Sequence, residues 1–357
     1  MDRLRTMLLP LLLAALMLGA LSACGGSDRP TKKESRPRPN AAAAKRAADA
    51  AAAPDEDDAT NEPASPEALV AEQIETLEMG RTSQKKAALV KLTAQKDREL
   101  AATAIPAIQE CLSDDSADVR GLAGIAILKI KGSEGAHLIR PLLRDSKLEV
   151  RASVYNELGK LGKEYDDELM RGLEDKSSEI QEIALDFLSR QNNKRAAPRA
   201  IGLYERTESE SLRAQILTYL LRINSDKGTS TVLLKLDDLE GPSALTLAVR
   251  YLGKYGDDVQ ARGLVRFLDD MEVPVRIEAT RVVEARKIRT LDSIAALVNL
   301  LGDDSEPVRV AAHKALKKLT NQDFGFDPTE FDAKKSKPAV EKWEKWLESN
   351  GDKFPKG

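Results

Sequence analysis

The fold of this 357-residue chain is decided by a string that recurs along it, first clearly as Asp118-Val119-Arg120 with Ile127 seven positions after the arginine. Each copy has an apolar residue, then usually an arginine, then an aliphatic residue seven positions on. The later copies begin at Val150-Arg151, Ile180-Gln181, Leu212-Arg213, Ala244-Leu245, Val275-Arg276 and Val308-Arg309. They follow one another every 30 to 33 residues, and a weaker early copy has Lys85 and Leu92. A period of this length predicts about eight stacked helical hairpins.

The segments between the copies complete the hairpins. Apolar runs at 138–143, 264–268 and 294–301 predict the first helix of a hairpin, and the recurring string opens the second. Breakers such as Gly162 and Asp303-Asp304 separate the helices, and strand signals are nearly absent. One hairpin cannot bury its apolar face alone, but stacked hairpins share a continuous core. The sequence therefore predicts an all-α fold.

The string V-R-x-x-A-x-x-x-L-x-x-L resembles the second helix of HEAT repeats, closest to the short bacterial type also found in phycobilin lyases. The resemblance covers residues 66–321, about 70% of the chain. It implies a right-handed α-solenoid, an alpha-alpha superhelix of the ARM/HEAT type, whose second helices line the concave face. Gln181 and Leu245 depart from the pattern, so any ladder of Asp–Arg pairs between repeats is expected to break there.

The N-terminus has the features of an export signal. Arg3 and Arg5 precede an apolar run at 7–20, which is shorter than a membrane-spanning helix needs. Leu21-Ser22-Ala23-Cys24 resembles a bacterial lipobox. The resemblance implies that 1–23 is a signal peptide and that Cys24 carries the lipid, while an ordinary signal peptide or anchor helix with an incidental cysteine is the alternative. Gly25 stands where an inner-membrane retention aspartate is usual, which favours the outer membrane, facing the periplasm, in a Gram-negative cell.

Residues 24–65 are rich in alanine, proline and charge, which predicts a disordered tether. Its basic residues lie near Cys24 and its acidic residues farther out, a pattern open to two interpretations: attraction to anionic headgroups or a plain solvated linker. The net charge of −3 becomes about −4 after processing, which lacks the basicity of a nucleic-acid binder.

Residues 322–357 break the repeat, and Trp343 and Trp346 lie one turn apart on a final helix. We predict a C-terminal cap that covers the last apolar face, with an aromatic ligand patch as the alternative.

Groups suited to catalysis are sparse. His137 and His313 are far apart, Cys111 lies in an apolar run that predicts a buried inert thiol, and no nucleophile–base motif or zinc-site spacing occurs. The recurring Asp-Asp pairs fall at turns, where capping is the expected role. The sequence therefore predicts no enzyme activity, no metal, no cofactor and no small-molecule substrate.

The candidate partner-binding residues lie on the second helices, where cations recur five and nine positions after the arginine position. The set is Tyr219, Arg222, Arg250, Tyr251, Lys254, Arg281 and Lys314. A basic stripe of this kind would suit an acidic envelope protein or an anionic envelope polymer, whereas cations near helix C-termini also simply stabilise helices. We predict a scaffold for protein–protein interaction in the cell envelope, with a phycobilin-lyase-like enzyme or a polymer binder as alternatives.

Overall fold

The computed structural model of the protein describes residues 65–330 and 332–356, which belong to one compact unit. These residues form 17 α-helices and nine short 3-10 segments, and no strand occurs among them. The predicted signal peptide, Cys24 and the tether as far as residue 64 lie outside the described residues. The all-α solenoid predicted from the repeating string is confirmed.

The helices pair into hairpins, as the period predicts. The first helices are α1 (Pro66–Met79), α3 (Arg98–Ala102) with α4 (Ile105–Glu110), α7 (Asp166–Gly172), α9 (Ala197–Arg206), α11 (Thr229–Leu234), α13 (Asp258–Gly263) and α15 (Leu291–Asn299). The second helices are α2 (Thr82–Ala94), α5 (Ala117–Lys131), α6 (Leu148–Leu161), α8 (Ser178–Arg190), α10 (Glu210–Arg222), α12 (Pro242–Tyr255), α14 (Val273–Ala285) and α16 (Glu306–Thr320).

Several first arms are less regular than the apolar runs suggest. The arm before α6 consists of turns and two 3-10 segments, Gly132–Gly135 and Arg140–Arg144. The run at 264–268 lies in the 3-10 segment Leu264–Asp269 that follows α13, and the run at 294–301 is α-helical only as far as Asn299. Tight 3-10 turns are common where helices end, and they shorten these arms.

The second helices form one continuous layer, in which each packs beside the next from α2 to α16. The aliphatic residue seven positions after the arginine position is fully buried in every clear copy: Ile127, Leu158, Leu188, Leu220, Leu252, Val283 and Leu316. This residue faces the shared core because it stands about two helical turns beyond the apolar residue that opens the string. The sequence repeat is therefore a repeat of core positions.

Most second helices are followed by a residue in the left-handed backbone region. Gly132 and Gly162 take it after α5 and α6, and Asn192, Asn224 and Asn321 take it after α8, α10 and α16. Glycine and asparagine tolerate positive φ better than other residues, so they end helices well. After α14 the residue is Lys287, with φ of 53°, and nothing in its side chain relieves that strain.

The predicted ladder of ion pairs between repeats is confirmed. Arg120 donates two hydrogen bonds to the Asp145 carboxylate, from Nε at 2.7 Å and from Nη2 at 2.9 Å. Arg151 binds Asp175 in the same way, and its Nη1 donates to the backbone carbonyl of Asp145 at 2.8 Å. The Arg120 guanidinium lowers the pKa of the Asp145 carboxyl from its ordinary value. These pairs join successive hairpins and leave the arginines no free donor fork for a ligand.

The ladder is interrupted at the repeats that depart from the string and also at Arg213, which keeps the arginine but forms no ion pair within the described residues and lies over the Tyr204 ring instead. Gln181 donates from Nε2 to the carbonyl of Asp175 at 2.6 Å, which keeps the backbone contact but supplies no charge. The ladder returns where Arg276 binds Asp303 through Nε at 2.8 Å and Nη2 at 3.0 Å. Oδ1 of Asp303 also accepts the Ser305 backbone N–H at 2.8 Å. The turn-forming role predicted for such aspartates is confirmed at this site.

The C-terminal tail ends in α17 (Ala333–Asn350), which packs against α15 and the 3-10 segment Leu300–Gly302. Trp343 is completely buried, and its ring meets Phe324 edge-on at 4.8 Å between centroids. The Leu291 N–H donates to the Pro355 carbonyl at 2.9 Å, which ties the end of the tail to the start of α15. The His313 ring packs against the Phe326 ring of this tail, with 5.4 Å between the ring centroids.

Candidate functional site

The exposed side of the second-helix layer carries most of the predicted partner-binding residues. Because these helices lie side by side, positions with the same repeat offset form rows across the layer. The structure brings Arg250, Arg281 and Lys314 onto α12, α14 and α16, three neighbouring helices. Their charged groups remain largely accessible to solvent.

The row of cations is not the uniform basic stripe that the sequence suggests, because buried carboxylates lie within it. The side chain of Glu278 is only 7% exposed, yet it accepts Nη2 of Arg250 at 2.8 Å and Nη1 of Arg281 at 3.3 Å. The hydrogen bond from Arg250 to Glu278 raises the pKa of that guanidinium. One enclosed acid thus holds two arginines of successive helices.

The same arrangement occurs twice more. Oε1 of Glu284 lies 3.7 Å from Nζ of Lys314 and 3.0 Å from Nζ of Lys318. At the other end of the layer, Glu157 lies 3.6 Å from Nζ of Lys129 and 3.5 Å from Nζ of Lys160. Each trio has a net charge of +1 instead of +2, so the attraction of this face for an acidic partner is about half of what the cations alone suggest.

The repeat pattern in the sequence does not predict these three glutamates. They stand at three different offsets from the arginine position, so no repeat signal marks them. The one feature of the sequence that indicates them is a glutamate among apolar residues of a second helix, as in Val282-Val283-Glu284-Ala285. Such a residue needs a charged partner when it is buried.

Tyr219 and Tyr251 must be removed from the partner-binding set. Both are completely buried. The Tyr219 hydroxyl donates to the Asn193 carbonyl at 2.6 Å, and the Tyr251 hydroxyl donates to the Ser225 carbonyl at 2.8 Å. Burial raises the pKa of Tyr251 to about 12. The rings point into the core and the hydroxyls tie down the turns of the preceding hairpin, so neither side chain can reach a partner.

Arg222 and Lys254 remain on the surface with neutral contacts. Nη1 of Arg222 donates to Oγ of Ser189 at 3.3 Å. Nζ of Lys254 donates to Oδ1 of Asn224 at 2.8 Å and lies 4.9 Å from the centre of the Tyr255 ring. Each contact reaches back to the preceding hairpin, and each leaves the positive charge uncompensated by a carboxylate within the described part of the chain.

A groove of about 880 Å³ crosses this layer at α8, α10 and α12, with Arg222 at its wall. Its floor includes Ile183 and Ala214, which are only partly buried, and Thr218 is exposed within it. The volume lies in the range of protein ligand pockets, of roughly 300–1,000 Å³.

The charges around the groove are mainly acidic. Glu182, Asp186 and Glu210 line it against the single cation Arg222. Asp186 is paired with Arg190 at 2.6 Å, and Glu210 accepts the Glu240 backbone N–H at 2.6 Å. Glu182 has no such partner among the described residues, so it offers a free carboxylate. This part of the layer suits a partner with a basic side chain, contrary to the acidic partner that the cation row suggests.

Another cleft, of about 960 Å³, lies among the first arms of three hairpins and is lined by Arg140, Arg171 and Arg199. Part of its positive charge is neutralised by ion pairs within the chain. Arg199 binds Glu174 at 2.9 Å, and the Arg151–Asp175 ladder pair forms part of the wall. Arg144, Arg171 and Lys176 of its lining have no carboxylate partner among the described residues, so the cleft keeps an excess of positive charge on an exposed surface.

The described residues contain no cluster of three or more histidine, cysteine or carboxylate side chains placed to hold a metal ion. Cys111 is buried, and burial raises the pKa of its thiol, which keeps it protonated. Within the same residues, no helix is both long enough and apolar enough to cross a bilayer.

The chain is similar to known proteins in part of its sequence and in its structure. A sequence model of the family described as HEAT repeats matches residues 105–188, from α4 into α8. An engineered protein superposes with a TM-score of 0.42 at 17% identity, over 79% of this chain and 84% of that chain. The karyopherin Kap121p superposes with a TM-score of 0.49 at 17% identity, over 81% of this chain and 36% of that chain. The YibA protein of E. coli superposes with a TM-score of 0.43 at 18% identity, over 74% and 98%.

No curated protein sequence matches the chain. The class that the fold defines is an all-α solenoid, and residues 105–188 of it match HEAT repeats. Solenoids of this class are typically non-catalytic scaffolds that bind other proteins, because stacked repeats present a long surface and few enclosed polar sites.

Proposed function

We propose that the chain is a non-catalytic scaffold of a bacterial cell envelope, anchored to a membrane by lipid on Cys24, and that it binds an extended segment of another protein on its second-helix layer. The observation that carries this proposal is the groove across α8, α10 and α12. It combines partly buried apolar residues, exposed polar groups and a free carboxylate in one open channel.

The dimensions of the groove favour a peptide. Helices that pack side by side are about 8–10 Å apart, so three of them span about 20 Å. An extended chain rises about 3.3 Å per residue, so roughly six residues fill the groove. Small or apolar side chains fit over Ile183 and Ala214, and a lysine or arginine fits opposite Glu182. The proposed partner therefore presents a short extended segment with at least one basic residue.

A photoreactive amino acid at Thr218, followed by crosslinking in the native envelope and mass spectrometry, tests this site. Thr218 is exposed inside the groove, and Val310 of α16 is a matched control because it is exposed on the second-helix layer outside the groove. We expect a discrete adduct from Thr218 and none from Val310. Equal adducts from both positions, or none from either, would contradict the proposed site.

The charge of the partner is tested by Glu182→Lys. This substitution should lower the yield of the Thr218 adduct, because it places like charge opposite the basic residue of the partner. A higher yield would show that the partner is acidic and would return attention to the cation row at Arg250 and Arg281. Retention on an anionic matrix that disappears in Arg250→Gln/Arg281→Gln would favour an anionic polymer instead.

The anchor is tested separately by Cys24→Ala. We expect the wild-type protein to sediment with membranes and to incorporate labelled palmitate, and the variant to do neither. Two acyl chains hold a protein stably where one does not, so loss of lipidation should release nearly all of it. A variant that stays in the membrane fraction would show that something other than lipid holds the chain.

A further inference from the structure

A smaller cavity, of about 440 Å³, lies where the C-terminal tail returns to the hairpin of α13 and α14. Five cations line it against one carboxylate, that of Asp258. The cations are Arg262, Arg286, Lys287, Arg289 and Lys353. They come from α13, from the turn after α14 and from the tail, three separate parts of the chain that only the tertiary structure brings together.

Few of these charges are neutralised. Arg286 binds Asp258 at 2.9 Å, Lys353 donates to Oδ1 of Asn350 at 2.6 Å, and the Arg289 guanidinium lies 5.7 Å from the centre of the Phe354 ring. Arg262 and Lys287 have no carboxylate partner among the described residues. The lining thus has a net charge of +4, from five cations and one acid. Because four of the five cations are exposed, water and salt screen their mutual repulsion, and the cluster makes the local potential positive, which attracts an anion.

Lys287 stands at a backbone position that other repeats give to asparagine. The residues at the corresponding ends of α8, α10 and α16 are asparagines, which tolerate the left-handed region. Lys287 takes the same conformation, with φ of 53°, without that tolerance. The attraction of helix C-termini for cations accounts for Arg286 and Lys287, but it does not account for Lys353, which reaches the cavity from the tail.

We propose that this cavity binds a compact anion of the phosphate class with at least two negative charges. A single carboxylate would balance only one of the four excess charges. Phosphate groups suit the lining because arginine donates to their oxygens in paired hydrogen bonds and lysine adds a point charge. The cavity volume falls within the range of small-ligand sites, of roughly 300–1,000 Å³. The site lies outside the second-helix groove and does not depend on the partner proposed above.

Isothermal titration of the full-length protein with inorganic pyrophosphate at low salt tests the proposal. Lys287→Asn is the informative variant because it removes the charge while it supplies a residue better suited to the backbone, so loss of binding cannot be attributed to misfolding. Arg262→Gln is the second variant. Lys227→Asn is the matched control, since Lys227 is exposed in the corresponding turn after α10 and lies outside the cavity.

We expect pyrophosphate to bind the wild-type protein and the control alike, and the Kd to rise by about tenfold in Lys287→Asn and in Arg262→Gln, as expected for loss of a charge-assisted contact. Absence of binding, an equal loss in Lys227→Asn, or tighter binding of citrate than of pyrophosphate would overturn the proposal.

The source of the phosphate group is resolved by a second arm with vesicles that contain phosphatidic acid, in which every variant also carries Cys24→Ala so that no acyl chain contributes to vesicle binding. Vesicle binding that is weaker for Lys287→Asn than for Lys227→Asn would identify a lipid headgroup as the ligand. Equal vesicle binding by both variants, with pyrophosphate still dependent on Lys287, would identify a free phosphate compound. Either result supports phosphate chemistry at this cavity.

Discussion

Arg151 and Asp175 form an almost fully enclosed ion pair between two hairpins, with side chains only 3% and 7% exposed. We predict that Arg151→Gln destabilises the solenoid markedly. Glutamine can keep the bond to the Asp145 carbonyl, as Gln181 does with the Asp175 carbonyl in the next repeat. It cannot replace the two charged hydrogen bonds of 2.9 and 3.0 Å to the carboxylate.

The size of the stability loss depends on how deeply the Arg151–Asp175 pair is buried. Unit charges about 4 Å apart attract by about 4 kcal/mol at an effective dielectric constant near 20. Removal of one partner of a buried pair costs about 3–5 kcal/mol, because the other charge is left uncompensated. The retained hydrogen bond to the Asp145 carbonyl reduces this loss by about 1 kcal/mol. We therefore expect Arg151→Gln to lower the free energy of unfolding by roughly 2–4 kcal/mol.

Urea unfolding followed by circular dichroism measures the change, and hydrogen exchange locates it. Because each repeat of a solenoid contacts only its neighbours, the amides of α6 and α8 should lose protection first. Arg190→Gln is the control, since Arg190 and Asp186 form an exposed pair within one helix, worth about 0.3–0.5 kcal/mol. The reasoning is refuted if Arg151→Gln costs less than about 1 kcal/mol, within the range of an exposed pair. Adding Asp175→Asn should recover part of the loss, because it removes the unpaired buried charge.

Three further outcomes follow from buried or strained groups. Tyr219→Phe should lower the free energy of unfolding by about 1–2 kcal/mol, because the Asn193 carbonyl loses its hydrogen-bond donor. The crosslink at Thr218 should be unchanged. A variant that keeps full stability but loses the crosslink would show that Tyr219 contacts the partner. Lys287→Asn should raise the thermal unfolding midpoint, by the equivalent of about 0.5–1 kcal/mol, because asparagine better tolerates positive φ; a lower midpoint would mean that the lysine makes a stabilising contact. Burial lowers the pKa of His313 in the folded protein below its ordinary value of 6.5. The buried neutral imidazole therefore contributes to stability above pH 6.5, and this contribution is lost as the pH falls through the lower pKa of the folded state. Tryptophan fluorescence should report this loss, because both tryptophans of the chain lie in α17 and the tail packs on His313; an unchanged acid transition in His313→Gln would contradict it.

The arginine ladder and the core were predictable because each is written at a constant offset in the repeat. The aliphatic residue seven positions after the arginine is buried in every clear copy, and Arg120, Arg151 and Arg276 each find an aspartate of the next turn. Gln181 indicated one interruption of the ladder, whereas nothing in the repeat string indicates the interruption at Arg213. A feature that recurs in register can be read without coordinates, since one geometry applies to all copies.

The candidate site was harder to predict because its residues do not recur. Tyr219 and Tyr251 share one offset, but the offset alone did not show that they point inward and bind backbone carbonyls of the previous hairpin. Glu157, Glu278 and Glu284 occupy three different offsets and still perform the same role. A side chain next to the buried aliphatic position of the repeat is itself buried only if the neighbouring second helix covers it. That helix lies about 30 residues away in the sequence.

The sequence by itself determined the all-α solenoid and the number and spacing of its hairpins, because local periodicity fixes which face of each helix is apolar. It indicated the ion pairs of Arg120, Arg151 and Arg276, but not the absence of a pair at Arg213. It also supplies the predicted lipid anchor at Cys24. Only the tertiary structure decided which charges of the second-helix layer remain free, where the groove opens, and that Lys353 of the tail joins Arg262 and Lys287 around one cavity. Those features depend on distances between groups far apart along the chain, and electrostatic free energy depends on distance and burial, not on order in the sequence.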